Sequence, residues 1–350
     1  MRIGVYDPYL DTLGGGERYM LTLASALSTE HTVSLFWGND EILQAAGEKF
    51  GLPLGNVWVY QNIFSSSYSK LRRIRQMRRF DLLFFLSDGS VPLLLAKKNI
   101  LLFQFPLPWR KSLTLYDHMK LQFVSRIIYN SEFVMQSNSK LFKMPSEVLY
   151  PPVSPVPTST RKKEKLILGV GRFTKGMNMK KQDFLITTFK SLSRNLRDWE
   201  LILIGSVLDS DMDFLEKLKV MAKGCRVKII LNPPHKTLVA YLERASIFWH
   251  AAGFGEDLSV YPERAEHFGI ATVEAMSAGC VPVVFNGGGL REIVDDGVNG
   301  FLYTSADQLE SRTTELTADA ALWRTLSKKA IDKAADFSPE RFRKRLMTFL

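Results

Sequence analysis

Short β-rich runs alternate with helical patterns along this chain, in two series separated by a proline cluster, and that alternation restricts the fold more than any other feature. The first series has strand-like runs at Ile3 to Tyr6, Val33 to Trp37, Val57 to Tyr60, Leu82 to Leu86, Ile100 to Phe103 and Ile127 to Tyr129. Between the first two, Met20, Leu23, Ala24 and Leu27 recur at i, i+3, i+4 and i+7, the spacing of one buried helix face. Strand followed by helix, repeated, predicts a parallel sheet with helices on both faces. Tyr150-Pro-Pro-Val-Ser-Pro-Val-Pro then places four prolines in seven residues and can continue neither element, so it reads as a linker. The alternation restarts at Leu166 to Val170, Leu201 to Ile204, Val227 to Leu231, Ile247 to Trp249 and Val281 to Phe285, which predicts a second doubly wound unit. Ser338-Pro-Glu-Arg-Phe has an N-cap serine, a proline at the first helical position and a first-turn glutamate, and opens a final helix. With 350 residues, 46% of them apolar, the chain has material for two cores, and disorder as its main state is excluded.

The formal charge of +10 is concentrated in two places. Residues 70–79 carry six basic side chains and no acidic one, and residues 161–181 carry eight against one; elsewhere 32 basic residues face 35 acidic ones. Two local anion-facing features are therefore expected rather than a general affinity for polyanions. In the first, Leu71, Ile74 and Met77 form a narrow apolar stripe beside the cations, which suits a helix on an anionic membrane or near a lipid-diphosphate acceptor; a solvated helix with its stripe in the core is the alternative. No aromatic residue interleaves with these cations, so nucleic acid is not expected as a partner.

Cys225 and Cys280 are far apart and each lies in an apolar stretch, which predicts buried thiols in a reducing, cytoplasmic compartment. The N-terminus runs directly into a strand pattern without a leader, and no apolar run approaches the roughly 18 residues of a membrane span. Membrane contact, if any, is expected to be peripheral.

The most specific stretch is Pro262-Glu-Arg-Ala-Glu266-His-Phe-Gly-Ile-Ala-Thr-Val-Glu274-Ala-Met-Ser-Ala-Gly279-Cys-Val-Pro282. Glu266 precedes a Phe-Gly turn, and Glu274 follows eight residues later on a helix that ends at Gly279. A carboxylate before a helix N-terminus can hold sugar hydroxyls while the free N–H groups of the first turn face an anion; two solvated carboxylates are the bland alternative. A second block, Leu166-Ile-Leu-Gly-Val-Gly171-Arg172-Phe-Thr-Lys-Gly-Met-Asn-Met-Lys180-Lys, reads as strand, glycine turn, basic loop and helix start. An arginine able to bind bidentately and a lysine acting as a point charge suit a diphosphate there, although a solvated basic loop would look the same.

The first of these stretches, continuing through Gly287-Gly-Gly-Leu-Arg-Glu292 to Gly300, resembles the signature of retaining GT-B glycosyltransferases of the large nucleotide-sugar-dependent family with an E-x7-E motif, the mannosyl- and glucosyltransferase-like family 4. The resemblance implies an α/β chain of two Rossmann-like domains facing across a cleft. An acceptor-binding domain would span 1–150, a proline-rich linker 151–164, a nucleotide-sugar-binding domain 165–335, and a C-terminal helix, 336–350, would return toward the N-domain. It implies that Glu266 contacts the donor sugar and Glu274 the ribose, with His267, Phe268, Gly269, Ile270 and Gly171 beside the donor, and His267 standing where most members have glycine. It implies Arg172 and Lys180 as the phosphate-binding pair; Lys175 and Lys181 are substitutes because the basic loop is long. Gly14-Gly-Gly-Glu17 matches the family's glycine loop, so Gly15 and Gly16 are placed near donor phosphates and acceptor. Gln104 occupies the position where many members carry a histidine, and His118 is an outside candidate for that role.

The activity so implied is retaining, metal-independent transfer of a hexose, mannose from GDP-mannose first, from a nucleotide-diphospho-sugar donor to a glycan or lipid-linked acceptor, as in polysaccharide biosynthesis. No metal or other cofactor is expected. A same-fold nucleotide-sugar epimerase and a non-catalytic nucleotide-sugar-binding protein are the alternatives. Asp209-Ser-Asp211-Met-Asp213 resembles a D-x-D metal site, but its place between a strand and a helix favours capping.

Overall fold

Leu82-Leu-Phe-Phe-Leu86 is buried at every position, as a parallel strand covered on both faces must be. The computed structural model in which it sits describes residues 1–156, 162–176, 179–194 and 196–350. Residues 157–161 of the proline-rich linker and 177–178 of the basic loop lie outside the described residues. The chain divides into two compact units, one of Met1–Pro152 with Glu340–Leu350 and one of Val153–Pro339.

In the first unit, β1 (Arg2–Tyr6), β2 (Thr32–Trp37), β3 (Val57–Gln61), β4 (Leu82–Leu86), β5 (Lys98–Phe103), β6 (Arg126–Tyr129) and β7 (Ser146–Val148) form a sheet in the order β3-β2-β1-β4-β5-β6-β7. Every pairing is parallel, with Ile3 opposite Val33 on one side and Leu82 on the other. The helices are α1 (Gly15–Ser28), α2 (Glu41–Phe50), α3 (Lys70–Met77), α4 (Leu115–Leu121) and α5 (Glu132–Asn138). The expected stripe of α1 is buried at Met20, Leu23, Ala24 and Leu27. Right-handed crossovers place helices on opposite faces according to the direction in which the strands advance. One core accordingly joins α1 and α2 to the sheet, and a second joins Ile74 and Met77 of α3 to Leu121 of α4 and Val134 of α5.

In the second unit, β8 (Glu164–Val170), β9 (Glu200–Gly205), β10 (Val227–Leu231), β11 (Ala245–His250), β12 (Val281–Phe285) and β13 (Phe301–Tyr303) form a parallel sheet ordered β10-β9-β8-β11-β12-β13. Around it lie α6 (Gln182–Leu192), α7 (Met212–Ala222), α8 (His235–Arg244), α9 (Ile270–Ser277), α10 (Leu290–Ile293), α11 (Ala306–Ala318) and α12 (Ala320–Ala334). Val153 N–H donates to the Phe337 carbonyl at 2.8 Å and Val156 N–H to Ser277 Oγ at 3.0 Å, so the start of the proline-rich segment is hydrogen-bonded onto this unit. The final helix, α13 (Pro339–Met347), belongs mostly to the first unit, where Phe342, Leu346 and Phe349 enter the core with α1.

Three expectations change. Cys225 is partly exposed rather than buried, because it lies in the connection after α7 between the exposed residues Lys223, Gly224 and Arg226; Cys280 is buried, and both thiols are free. The apolar stripe of α3 is split: Ile74 and Met77 enter the core while Leu71, in the first turn of this eight-residue helix, is 80% exposed. Arg73 is not part of the open cationic face, since it donates to the carbonyls of Ile63 and Ser65. Among the described residues no helix is long and apolar enough to cross a membrane.

Candidate active site

The strand order of the second unit reverses between β8 and β11, and ligands of open parallel sheets bind at the carboxyl ends of strands at such a switch point. β8 leads into Gly171 and Arg172, and the buried Gln182 side chain pins this turn by donating to the Gly171 and Arg172 carbonyls at 3.3 and 3.0 Å. Lys181 adopts a left-handed φ of 53°, so consecutive lysines point differently. Lys180 Nζ reaches Glu266 Oε2 at 2.6 Å, whereas Lys181 Nζ reaches Glu256 Oε1 at 2.5 Å. Lys175 pairs with Asp213, and its N–H donates to Asp211. Of the three candidate lysines, Lys180 is the one that meets the first carboxylate of the E-x7-E pair. The Lys175 contacts engage Asp211 and Asp213 of the D-x-D stretch, and among the described residues no group of three His, Cys, Asp or Glu side chains stands together as a metal site.

Glu266 has a second partner that the sequence reading missed. His250, the last residue of β11, lies 2.8 Å from Glu266 Oε2 through Nε2. Its Nδ1 accepts from Ala252 N–H at 3.3 Å, which places the ring proton on Nε2, where it donates to the carboxylate. Tyr303 Oη donates to the His250 carbonyl at 3.0 Å and fixes the strand end. Nothing in the periodicity distinguishes His250 from a core residue; its place at a strand terminus beside the switch point is the available signal. Burial opposes the charge of Glu266, but the Lys180 ammonium and the His250 hydrogen bond outweigh it and hold the carboxyl far below the usual range.

Glu266 is followed by His267, Phe268 and Gly269, and Gly269, at φ 116°, is the N-cap of α9. Gly289 N–H donates to the Glu266 carbonyl at 2.8 Å, so the triple-glycine turn after β12 rests on the backbone that carries the site. The preceding Gly288 sits at φ 62°, where a Cβ would fall 2.1 Å from the same Glu266 carbonyl oxygen. Ile270 and Glu274 lie in α9, and Glu274 is buried one turn in. Phe268 is 3% exposed and packs edge-on against Phe337 at 5.2 Å, so its ring is core and its backbone alone can contribute to a ligand site. Arg172 is exposed and makes no ion pair among the described residues.

His267 Nε2 lies 3.1 Å from the Glu263 carbonyl, and burial pushes its pKa down to about 4; burial also lowers that of His250. Both rings are therefore neutral in the folded protein. Below about pH 6.5 the unfolded chain binds protons that folded His267 refuses, so stability is lost as pH falls from 6.5 toward 4. His267→Gln is expected to remove up to about 3 kcal/mol of this loss in urea unfolding at pH 7 and 4.5; an unchanged pH slope would contradict a neutral buried ring.

In the first unit, Gly14 caps α1 and its N–H donates to Glu17 Oε2 at 2.5 Å. Gln104 Nε2 donates to the Gly16 carbonyl at 3.1 Å, so this amide braces the Gly15–Gly16 turn instead of standing free for a ligand hydroxyl. His118 is exposed on α4. Asp7, at the end of β1, is fully buried; burial pushes its carboxyl up to about 7 against the opposing Tyr9 N–H bond, with Glu17 and Asp11 adding to the rise.

Two parallel-sheet Rossmann-like units of seven and six strands make this the GT-B fold. Residues 154–333, more than half of the chain, match the family model of the glycosyl transferases group 1, and the chain belongs to that family. A GDP-Man:Man(3)GlcNAc(2)-PP-Dol alpha-1,2-mannosyltransferase from Dictyostelium discoideum is 27% identical over 58% of this chain and 41% of its own length. An uncharacterized glycosyltransferase from Methanocaldococcus jannaschii is 33% identical over 40% of each chain. The chain thus matches about two fifths of the length of these curated relatives. Among solved structures, Anabaena HepE in complex with UDP superposes with a TM-score of 0.77 at 19% identity, covering 99% of both chains, which establishes the shared fold.

Proposed function

We propose that the enzyme transfers a hexose, mannose first, from a nucleotide-diphospho-sugar to a glycan or lipid-linked acceptor with retention and without a metal ion. The observation that carries this reading is the Lys180–Glu266–His250 cluster at the carboxyl ends of β8 and β11, next to the α9 N-terminus. A GDP-mannose-using relative supports the choice of mannose, and the UDP complex of HepE supports a nucleotide-sugar donor. Arg172 and Lys180 would neutralise the departing diphosphate, and Glu274 would hold the ribose. Glu266 is engaged by two donors on one oxygen, so it positions the sugar and stabilises positive charge at its anomeric carbon rather than attacking it. The leaving phosphate would take the proton of the acceptor hydroxyl on the same face of the sugar. The acceptor would bind the first unit near Gly15 and Gly16, and the cations of residues 70–79 would meet an anionic membrane on its cytoplasmic face.

Thermal stabilisation by a panel of GDP-, UDP- and ADP-sugars reads base and sugar together. The matching donor at about 100 times its Kd is expected to add about 2.7 kcal/mol of stability, and Arg172→Ala with Lys180→Ala to abolish it. Full retention of the shift in that double variant would sink the phosphate assignment. Donor consumption without any acceptor would point to an epimerase instead.

A further inference from the structure

The seven-residue helix α4 is oriented opposite to a normal surface helix. Its polar side is the fastened side: buried Asp117 accepts from Thr114 N–H at 2.9 Å, Thr114 Oγ1 at 2.7 Å and Arg110 Nη2 at 2.6 Å. Lys120 donates to the Val91 carbonyl at 2.8 Å. Apart from Leu121, which packs on the core, its apolar side chains face outward. Leu115 is 80% exposed, Tyr116 60%, Met119 54% and, just beyond the helix, Phe123 49%, with Trp109 before it at 53%. Leu115 and Met119 stand at i and i+4 on one helix face, Tyr116 follows Leu115, and Phe123 lies in the turn that ends the helix, so the exposed apolar side chains are clustered at α4. Single exposed apolar residues are ordinary; a cluster of five around one short helix marks a contact surface.

Charge decides what that surface meets. α3 and α4 contribute to the same core and so lie on the same face of the sheet. On α3 and its end, Lys70, Arg72, Arg75, Arg78 and Arg79 are exposed and none makes an ion pair among the described residues. Around α4, from residue 89 to 131, the single carboxylate is the buried Asp117, and exposed Asp88 stands just before this stretch; of its six basic residues Lys97, Arg110, Lys120 and Arg126 are ion-paired, so the open cations of this face are those of α3. An apolar ridge on a face with unpaired cations and no exposed carboxylate of its own elements complements a lipid surface bearing anionic headgroups.

We propose that α4 is a membrane-inserting ridge, with Leu115, Tyr116, Met119, Phe123 and Trp109 entering the headgroup–acyl boundary of an anionic bilayer while the α3 cations hold its phosphates. This deepens the lipid-surface part of the reading above and rests on it, but it assigns the apolar share of binding to residues outside 70–79. The test is co-sedimentation of the full chain with 1:1 phosphatidylcholine–phosphatidylglycerol vesicles and with pure phosphatidylcholine vesicles. Wild type is expected to favour the anionic vesicles, and Leu115→Ser/Met119→Ser/Phe123→Ser to lower the partition coefficient about tenfold or more. Brominated lipids are expected to quench wild-type tryptophan fluorescence, and Trp109→Phe to lose most of that quenching. All four side chains are largely exposed, and an unchanged melting temperature would establish that the triple variant is folded.

If Arg72, Arg75, Arg78 and Arg79 changed to Gln abolishes binding while the Ser triple variant binds like wild type, α4 does not insert and only the electrostatic reading survives. If the triple variant alone loses binding, α4 inserts and the reading of residues 70–79 fails. If wild type ignores both vesicles, or gel filtration gives a dimer that the triple variant dissolves without changing vesicle binding, the ridge is not a membrane surface.

Discussion

Glu266→Gln is expected to lower turnover about 100- to 1000-fold, the usual cost of deleting one electrostatic contact to developing charge. The same change should also alter stability, since Lys180 would keep its ammonium in a site where its side chain is 16% exposed and lose its counter-ion. Breaking such a pair from one side typically costs about 3–5 kcal/mol, much of it the desolvation of the orphaned charge. Adding Lys180→Met should recover most of that stability and none of the turnover, and this split separates a catalytic role from a structural one. The acid side gives an independent reading. Folded Glu266 ionises far below its unfolded value of about 4.3, so its stabilisation is present above pH 4.3 and is lost progressively below it. Acid unfolding should therefore be shallower in Glu266→Gln than in wild type. Near-normal turnover in Glu266→Gln, or a covalent glycosyl adduct trapped on Glu266 of the wild type, would overturn the positioning role.

Gly288→Ala is the second large effect expected, although residue 288 need touch no substrate. Its φ of 62° strains any L side chain, and the added Cβ would meet a backbone oxygen, that of Glu266, which has no rotamer to give way. The strain and the displacement together should cost about 3 kcal/mol or more in urea unfolding. Because the atom displaced is the Glu266 carbonyl, surviving folded enzyme should also turn over at least tenfold more slowly, since about 1 Å of misplacement is costly. Wild-type stability and turnover in this variant would mean that the triple-glycine turn does not hold the site.

The fold was legible because buried parallel strands are written as continuous apolar runs, as at Leu82 to Leu86 and Val281 to Phe285. What escaped was short or mixed: β7 is the edge triplet Ser-Glu-Val, half-buried throughout, and β13 is three residues long. At the site, the family resemblance pointed to Glu266, Glu274, Arg172 and Lys180, while residue type and spacing alone left Lys175 and Lys181 open as substitutes for Lys180. That choice depends on the left-handed backbone at Lys181, which carries no compositional mark. His250 was hidden for a related reason, since its function comes from where its strand ends in the sheet order. Leu71 shows the converse error, a periodic position that the short α3 leaves in solvent.

The first unit is discontinuous, because its core with α1 takes in Phe342, Leu346 and Phe349 from beyond Pro339. During synthesis residues 1–152 of the first unit emerge first, yet their core lacks part of its interior until the whole second unit, Val153 to Pro339, and the residues after it have been made. The half proposed to bind the acceptor would be the last to mature, closing its core only when residue 349 has left the exit tunnel.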